Sequence, residues 1–520
     1  MQVKPSTKSV VVFILLVCAI LLFSRIFQAD AFTQNEAIHG NNGVMIWKSL
    51  VTFDWQSFWY STNQQVSSSF LHSWLESFIF LILGISFTSA RILSLVLFFI
   101  LALLLYHMPI SLNLKHGKFI GLASLTFLLT SPEAVKYATQ NSTETLGVLI
   151  FLAAAYFYAV AEESNLFSHY IIVGLLLGLS IYTDYIYAYL ILVSFSIIIT
   201  AKMTGAVVET IYLIRKGEQN AFPFYWWMYK KLTILAIAIL SASVWFFSGF
   251  FSRKVHMFFS TVFGDFSADI AFTGLLNNLF FYPKWIAQNF SFSPVIGIIL
   301  LFSIISPLAF YKDKKIRIYY LFCWISLFLL VFSVGDKAPS MVYAITPFIF
   351  IIFSANIIYL FETNKKMATV FTSAILIISV AYLPNLFKAY FPEQPSVKAK
   401  TVLDFFYKNI PADHSFATSL NFSRLNADII NFYFYNWKAP ILSDLSYPLE
   451  STPSDCQYYA TIELANESLY NHDSNGVQSI IQLNQMLEYE EKSGEIKLFA
   501  SKNFGNKLTA KIYAKARISL

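Results

Sequence analysis

A chain of 520 residues that is 57% hydrophobic and only 13% charged falls well below the about one quarter of charged residues that a water-facing domain carries, so most of its surface is not built to meet water. The formal net charge of +6 is small for this length, and the Lys and Arg residues form no sustained basic stripe, which excludes a nucleic-acid partner. Cys18 and Cys323 lie in apolar runs and Cys456 stands alone in the polar tail, so no disulfide is expected within that tail.

The first element is the apolar run 10–27, preceded by Lys4 and Lys8. The sequence that follows, Ser24-Arg25-Ile26-Phe27, offers no small-residue cleavage site, so the run reads as an uncleaved first span. Further runs able to cross a bilayer lie at 88–108, 118–132, 144–161, 169–183, 185–203, 232–252, 293–311, 317–335, 340–361 and 367–385. The total is about eleven crossings of a ~30 Å hydrocarbon layer.

The run Phe70–Phe87 is apolar enough to add another, and charge placement decides against it. With the N-terminus inside and this run unspanned, Lys115, Lys118, Arg215, Lys216, Lys230, Lys231, Lys312, Lys314, Lys315, Arg317, Lys365 and Lys366 all fall in cytoplasmic loops, as the positive-inside rule requires. A crossing there would move every one of those clusters outside. The segment is therefore expected to be a juxtamembrane helix at the outer interface, with His72, Trp74 and Glu76 near its start. The loops 28–88, 133–143 and 253–292, the turn Gly335–Ser340 and the C-terminal region then share the outer face. The cytoplasmic stretch 204–231 carries Phe222-Pro223-Phe224-Tyr225-Trp226-Trp227, which reads as an interfacial anchor.

Polar composition returns at Pro392. Val397–Ile410 has helical periodicity and is followed by Pro411, while Ile429–Tyr435 and Glu495–Ala500 alternate and read as strands. The fold class expected is a polytopic α-helical membrane protein with outer juxtamembrane helices over residues 1–390, followed by a small extracytoplasmic α/β soluble domain over 391–520.

Three outer segments carry candidate chemistry. Thr33-Gln34-Asn35-Glu36-Ala37-Ile38-His39-Gly40 follows the first span; Glu36 can act there as a general base or ligate a divalent cation, and Thr33 with Glu36 also has capping-box spacing. Asn141-Ser142-Thr143-Glu144-Thr145 leads into the fourth span. Glu144 can complement that helix dipole, or with Glu36 flank a hydroxyl nucleophile or a metal ion. Gly335-Asp336-Lys337-Ala338-Pro339-Ser340, followed by Tyr343 and Pro347, places a lysine on the outer face against the charge trend. It can snorkel to head groups, pair with Asp336, or neutralise a lipid-linked phosphate, joined by Arg253 and Lys254 at the outer end of the seventh span. Asp184 lies at the turn between spans five and six. No zinc spacing, phosphate-binding glycine loop or serine-nucleophile elbow is present.

Taken in order, these segments resemble the class C glycosyltransferases, in the group of the protein O-mannosyltransferases and the bacterial lipid A aminoarabinose transferase, over residues 10–390. Asn35-Glu36 stands where that family has an Asp-Glu pair on a juxtamembrane helix. Leu83-Gly84-Ile85-Ser86-Phe87-Thr88-Ser89-Ala90-Arg91-Ile92-Leu93-Ser94 resembles its Gly…Ala-Arg-Leu segment, and Glu144 falls where many members have an acidic residue. The run from Gly174 to Thr183 resembles the span before a Thr-Lys turn, with Asp184 in place of the lysine. The segment Lys337 to Pro347, with Tyr343 within it, resembles the Lys-x-Pro…Tyr…Pro segment whose lysine lies near the lipid phosphate.

The resemblance implies a polyprenyl-phosphate-linked sugar donor and a hydroxyl of a glycan, lipid or protein as acceptor. The setting it implies is the extracytoplasmic face of a bacterial inner membrane. Glu36, with Asn35 and Glu144, would carry catalysis; Lys337, Arg253, Lys254 and Tyr343 would hold the donor phosphate; any divalent metal would sit on Glu36 and Glu144. A transporter is disfavoured because no glycine- or proline-broken spans recur at matching places in two halves. A catalytically silent relative that binds a lipid or partner is the alternative that Asn35 supports.

Overall fold

The computed structural model describes residues 7–66, 70–216, 222–264, 272–306, 308–335, 338–391, 398–418, 425–436, 441–442, 456–464, 474–504 and 508–516. Among them, eight helices are long and apolar enough to cross a membrane: Thr7–Gln28, Phe87–Ser111, Glu144–Ser164, Tyr185–Arg215, Met228–Phe247, Pro294–Lys312, Lys314–Phe332 and Thr346–Thr363. Lys365–Ala381 and Leu383–Tyr390, bent by 54°, make a ninth if taken as one broken span. The other two expected crossings, 118–132 and 169–183, hold the shorter apolar helices Gly117–Leu129 and Phe167–Ile181. Phe70–Leu83 is also a short apolar helix and is not among the candidate spans. The chain leaves it through Gly84 at φ +75°, a backbone conformation that a Cβ would resist.

Contacts divide the chain into two compact units. The first comprises Met1–Ile26, Asp54–Leu75 and Arg91–Pro392, and the second Phe27–Phe53, Glu76–Ala90 and Glu393–Leu520.

The first unit is a helical bundle whose close contacts are made through small residues. A Cβ placed on Gly174 would meet the Cβ of Ile237 at 2.8 Å, and Gly178, one turn on, lies against Ser241. In lipid no hydrophobic gain favours one helix contact over another, so small residues at this spacing let two backbones approach and gain dispersion contacts. Tyr182 closes the same contact by donating its hydroxyl to the Ser241 carbonyl at 2.6 Å. Backbone polar groups at a helix break need partners when water is absent. At the break after Ile305, the Asn356 side chain supplies them. Its oxygen accepts from the Ala309 N–H at 2.9 Å and its amide donates to the Ser303 carbonyl at 3.1 Å.

The second unit carries a five-stranded sheet in the order β2-β1-β3-β5-β4. The strands are β1 (Phe416–Ala417), β2 (Ile441–Leu442), β3 (Tyr458–Leu464), β4 (Ile496–Asn503) and β5 (Leu508–Lys515). β1 pairs in parallel with β2 and β3, and β5 lies antiparallel between β3 and β4. The expected helix at 397–410 is Ala399–Asn409, and Glu495–Ala500 falls on β4. Ile429–Tyr435, expected as a strand, is instead the helix Ala427–Tyr433. Its apolar run is too short for period 2 to be told from period 3.6, and the cap decides: the Asn426 side chain accepts from the Ile429 N–H at 3.1 Å. Ile429, Ile430 and Phe432 then face the core while Asn431 is exposed.

The segment Phe27–Phe53 belongs to this second unit, and one buried carboxylate ties it there. Asp30, 2% exposed, accepts from the Ala399 N–H at 2.9 Å through Oδ2 and from the Lys400 and Ala31 N–H groups at 3.0 and 2.8 Å through Oδ1. It thus caps the helix Ala399–Asn409 from far away in sequence, satisfying N–H groups that have no partner within the helix. Phe32 follows, fully buried, with ring centroids 4.6 Å from Phe87 and 4.7 Å from Phe432.

Replacing Asp30 with alanine strands those buried donors and is expected to cost about 3 kcal/mol of stability. Thermal unfolding and limited proteolysis of the detergent-solubilised protein should show the C-terminal region opening first. Asp30→Asn, which keeps one acceptor oxygen, should fall between Asp30→Ala and the native protein.

Candidate functional site

Two groups of side chains carry the candidate chemistry, one in each unit. In the second unit the helix Gln34–Val51 begins with Thr33 and Glu36 in a capping box. The Thr33 N–H and hydroxyl donate to Glu36 Oε2 at 2.9 and 3.2 Å. Glu36 is 3% exposed, whereas Asn35 is exposed. The helix N-terminus favours the ionised carboxylate, and the cap fixes its position.

His39 lies three residues on, within electrostatic reach of Glu36; burial pushes its imidazole down to about 4, with Glu36 pulling the other way. A neutral ring therefore stands beside the carboxylate at neutral pH. The helix is held along its length by the helix Ala427–Tyr433 and the residues after it. A Cβ on Gly40 would meet the Phe432 ring at 2.8 Å. The Asn41 amide donates to the Asp428 carbonyl and the Lys48 ammonium to the Tyr435 carbonyl, both at 2.9 Å.

In the first unit Asp184, Glu144 and Tyr343 come together, although the sequence presents them in three separate motifs. Asp184 caps the helix Tyr185–Arg215, its Oδ1 accepting from the Ile186 and Tyr187 N–H groups at 2.8 and 3.3 Å. Capping aims Tyr187, whose hydroxyl donates to the Ser340 carbonyl at 3.0 Å. That contact fixes the 3-10 turn Pro339–Ala344 directly after Lys337. Within the turn Tyr343 is fully buried and stacks on Tyr137 with ring centroids 5.4 Å apart.

Glu144, the first residue of its helix, lies within electrostatic reach of Asp184 and Lys136 and acts on Tyr137, Tyr187 and Tyr343. Burial, with Glu133 and Glu144 nearby, pushes the Tyr137 phenol well up, so it stays protonated and can donate. Glu133 itself pairs with Lys136 at 2.7 Å. Tyr137, Tyr187, Glu133 and Lys136 were missed from sequence because nothing in their spacing marks them; only Tyr187, three residues after a helix-capping acid, had a local signal.

Lys337, with Asp336, lies outside the described residues. Arg253 is exposed. Lys254 is buried and donates to Asn63 Oδ1 at 2.8 Å and to the Trp245 carbonyl and Ser248 Oγ at 2.9 Å. Its ammonium also lies 3.5 Å from the centre of the Trp245 ring, and burial lowers it to about 8. Its donors are thus engaged in anchoring the helix Phe251–Phe263. Among the described residues no three His, Cys, Asp or Glu side chains are grouped as a metal ion would need, and Glu36 and Glu144 lie in different units.

The sequence model of the dolichyl-phosphate-mannose-protein mannosyltransferase family matches residues 67–217. In structure the chain is similar to ArnT from Cupriavidus metallidurans in the apo state, with a TM-score of 0.59 at 9% identity over 98% of both chains. The same protein bound to undecaprenyl phosphate gives a TM-score of 0.58 at 10% identity, again over 98% of each chain. An oligosaccharyltransferase from Archaeoglobus fulgidus gives 0.49 at 13% identity, over 86% of this chain and 67% of that one. No curated protein matches the chain in sequence. The fold is that of the class C glycosyltransferases, as the order of the outer segments led one to expect.

His39 provides a pH test of the geometry around Glu36. Between about pH 4 and the ordinary imidazole value of 6.5 the unfolded chain binds a proton that the folded protein does not. Stability is therefore expected to fall as pH drops through that window. Unfolding midpoints at pH 7.5, 5.5 and 4.5 should show the loss in the native protein and a smaller one in His39→Gln.

Proposed function

We propose that this multi-pass membrane protein, which has the class C glycosyltransferase fold, transfers a sugar from a polyprenyl-phosphate-linked donor to a hydroxyl of a glycan, lipid or protein acceptor on the extracytoplasmic face. The observation that carries the reading is the likeness to ArnT across 98% of both chains, together with the mannosyltransferase family match over 67–217. One of those similar structures holds undecaprenyl phosphate, which supports a lipid phosphate as the leaving group here. The lysine- and arginine-bearing loops support a cytoplasmic N-terminus and an external C-terminal domain, in keeping with a bacterial inner membrane.

The step is an in-line displacement. The acceptor oxygen attacks the anomeric carbon, the carbon–oxygen bond to phosphate breaks, and its electron pair departs with the polyprenyl phosphate. Glu36 takes the acceptor proton; the Thr33 cap holds the carboxylate still, and holding a base in place is much of what a catalyst supplies. Lys337 neutralises the departing phosphate, with exposed Arg253 as a second cation. The Tyr187 bond to Ser340 steadies the turn Pro339–Ala344, in which Tyr343 is buried within electrostatic reach of Glu144. Lys254 serves the fold. Asn35, neutral and exposed, favours a second reading in which the chain binds a lipid or partner without catalysis.

Two substitutions separate these readings. Glu36→Gln keeps an acceptor for the cap but loses the base, and should lower transfer from a polyprenyl-phosphate sugar by about 100-fold or more at unchanged protein level in the membrane. Undiminished turnover would leave Glu36 a cap alone. Lys337→Ala should weaken binding of polyprenyl phosphate by about tenfold, the equivalent of about 1.4 kcal/mol; an unaltered affinity would remove Lys337 from the donor site.

A further inference from the structure

The second unit contains an open cleft of 290 Å³ whose lining the proposed transfer step does not use. Its floor is Phe87 and Phe432, both buried. Its walls are Tyr407 and Tyr433, and Lys400 and Asn436 stand at its rim. Lys400 and Tyr407 lie seven residues apart on the helix Ala399–Asn409, with Asp404 between them at i+4, so all three share one helix face.

The aromatic walls are fixed in place. The Tyr433 hydroxyl donates to Asp404 Oδ1, and its ring stacks on Phe87 with centroids 5.6 Å apart at 27°. Tyr407 meets Tyr433 at 85° with centroids 5.8 Å apart, forming a right-angled corner. Its far side is supported by Phe434 at 5.4 Å. Tyr407 is nonetheless 44% exposed, a large apolar surface left open to water.

We propose that this cleft binds a sugar ring of the acceptor. A pyranose has one face of C–H groups and an equator of hydroxyls. The C–H face suits the electron-rich face of an aromatic ring, and the hydroxyls need donors and acceptors of the kind that Lys400, Asn436 and Ser86 supply. The charges argue against other occupants. Lys400 is the one charged residue of the lining, poor provision for a nucleotide or a polyphosphate, and a wholly apolar ligand would leave the rim groups without purpose. The volume of 290 Å³ lies just under the about 300–1,000 Å³ that drug-sized ligand pockets occupy, which suits a small saccharide.

The cleft is linked to the helix of the proposed base by a packing contact. Its floor residue Phe432 packs on Gly40, one helical turn beyond Glu36. The assignment of the bound sugar as acceptor rests on the transferase reading; the binding of a sugar does not.

The test is saturation-transfer difference NMR on the full-length protein in lipid nanodiscs, with maltose, lactose and chitobiose as probes. The expected result is transfer to the ring protons of at least one disaccharide, reduced at least fivefold in Tyr407→Ala and retained in Tyr407→Phe, which keeps the stacking surface. Absence of transfer to all three, or equal transfer in Tyr407→Ala, overturns the proposal. Sugar binding that depends on Tyr407 in a protein that transfers no sugar would defeat the transferase reading and leave the cleft assigned. Transfer without such binding would do the reverse.

Discussion

Oxygen acceptors placed at helix N-termini organise both units of this molecule. Asp30 caps Ala399–Asn409 across 369 residues of sequence, Glu36 closes the capping box of Gln34–Val51, and Asp184 caps Tyr185–Arg215. Asp54 and Asn426 do the same for two further helices. In a chain that is mostly apolar, carboxylates cannot be scattered through the hydrocarbon. The N-terminal N–H groups, which need partners in any case, stabilise them at helix ends. Each helix start fixed in this way aims the residues of its first two turns: His39 one turn beyond Glu36, and Tyr187 toward Ser340.

For Glu36 the structural role and the proposed chemical one do not compete. A cap is a positioned, ionised carboxylate, and a general base needs the same two properties. The imidazole one turn away is neutral at neutral pH and adds no positive charge beside that carboxylate. In the first unit the same device places Asp184 close enough to act on Glu144 while Tyr137 and Tyr343 stack nearby. The Tyr187 hydroxyl, aimed by the same cap, steadies the turn Pro339–Ala344.

The bundle was legible in the sequence because its signals are local. Apolar runs locate the helices, and Phe70–Leu83, which the lysine-rich loops led one to expect outside the spans, is among the shorter apolar helices with Gly117–Leu129 and Phe167–Ile181. The contacts that make the units were not legible. Nothing near Asp30 announces that its partners are the amides of Ala399 and Lys400, so a sequence boundary at 390 separates residues that the second unit holds together. Ile429–Tyr435 misled because seven residues are too few to distinguish a strand from two helical turns, and Asn426 outweighed the apparent alternation. Of the site residues, Glu36 stood out through its capping spacing and Glu144 through its place at a span entrance. Tyr187 and Tyr137 matter through what they touch, which no local pattern encodes.

The central claim is glycosyl transfer on the face that carries the C-terminal domain. It is tested most directly in proteoliposomes of defined orientation, loaded with a radiolabelled polyprenyl-phosphate sugar and given acceptor on one side only. Labelled product should form when the acceptor meets the face bearing residues 398–516. Product formed equally from the opposite face, or none from either, would contradict the account.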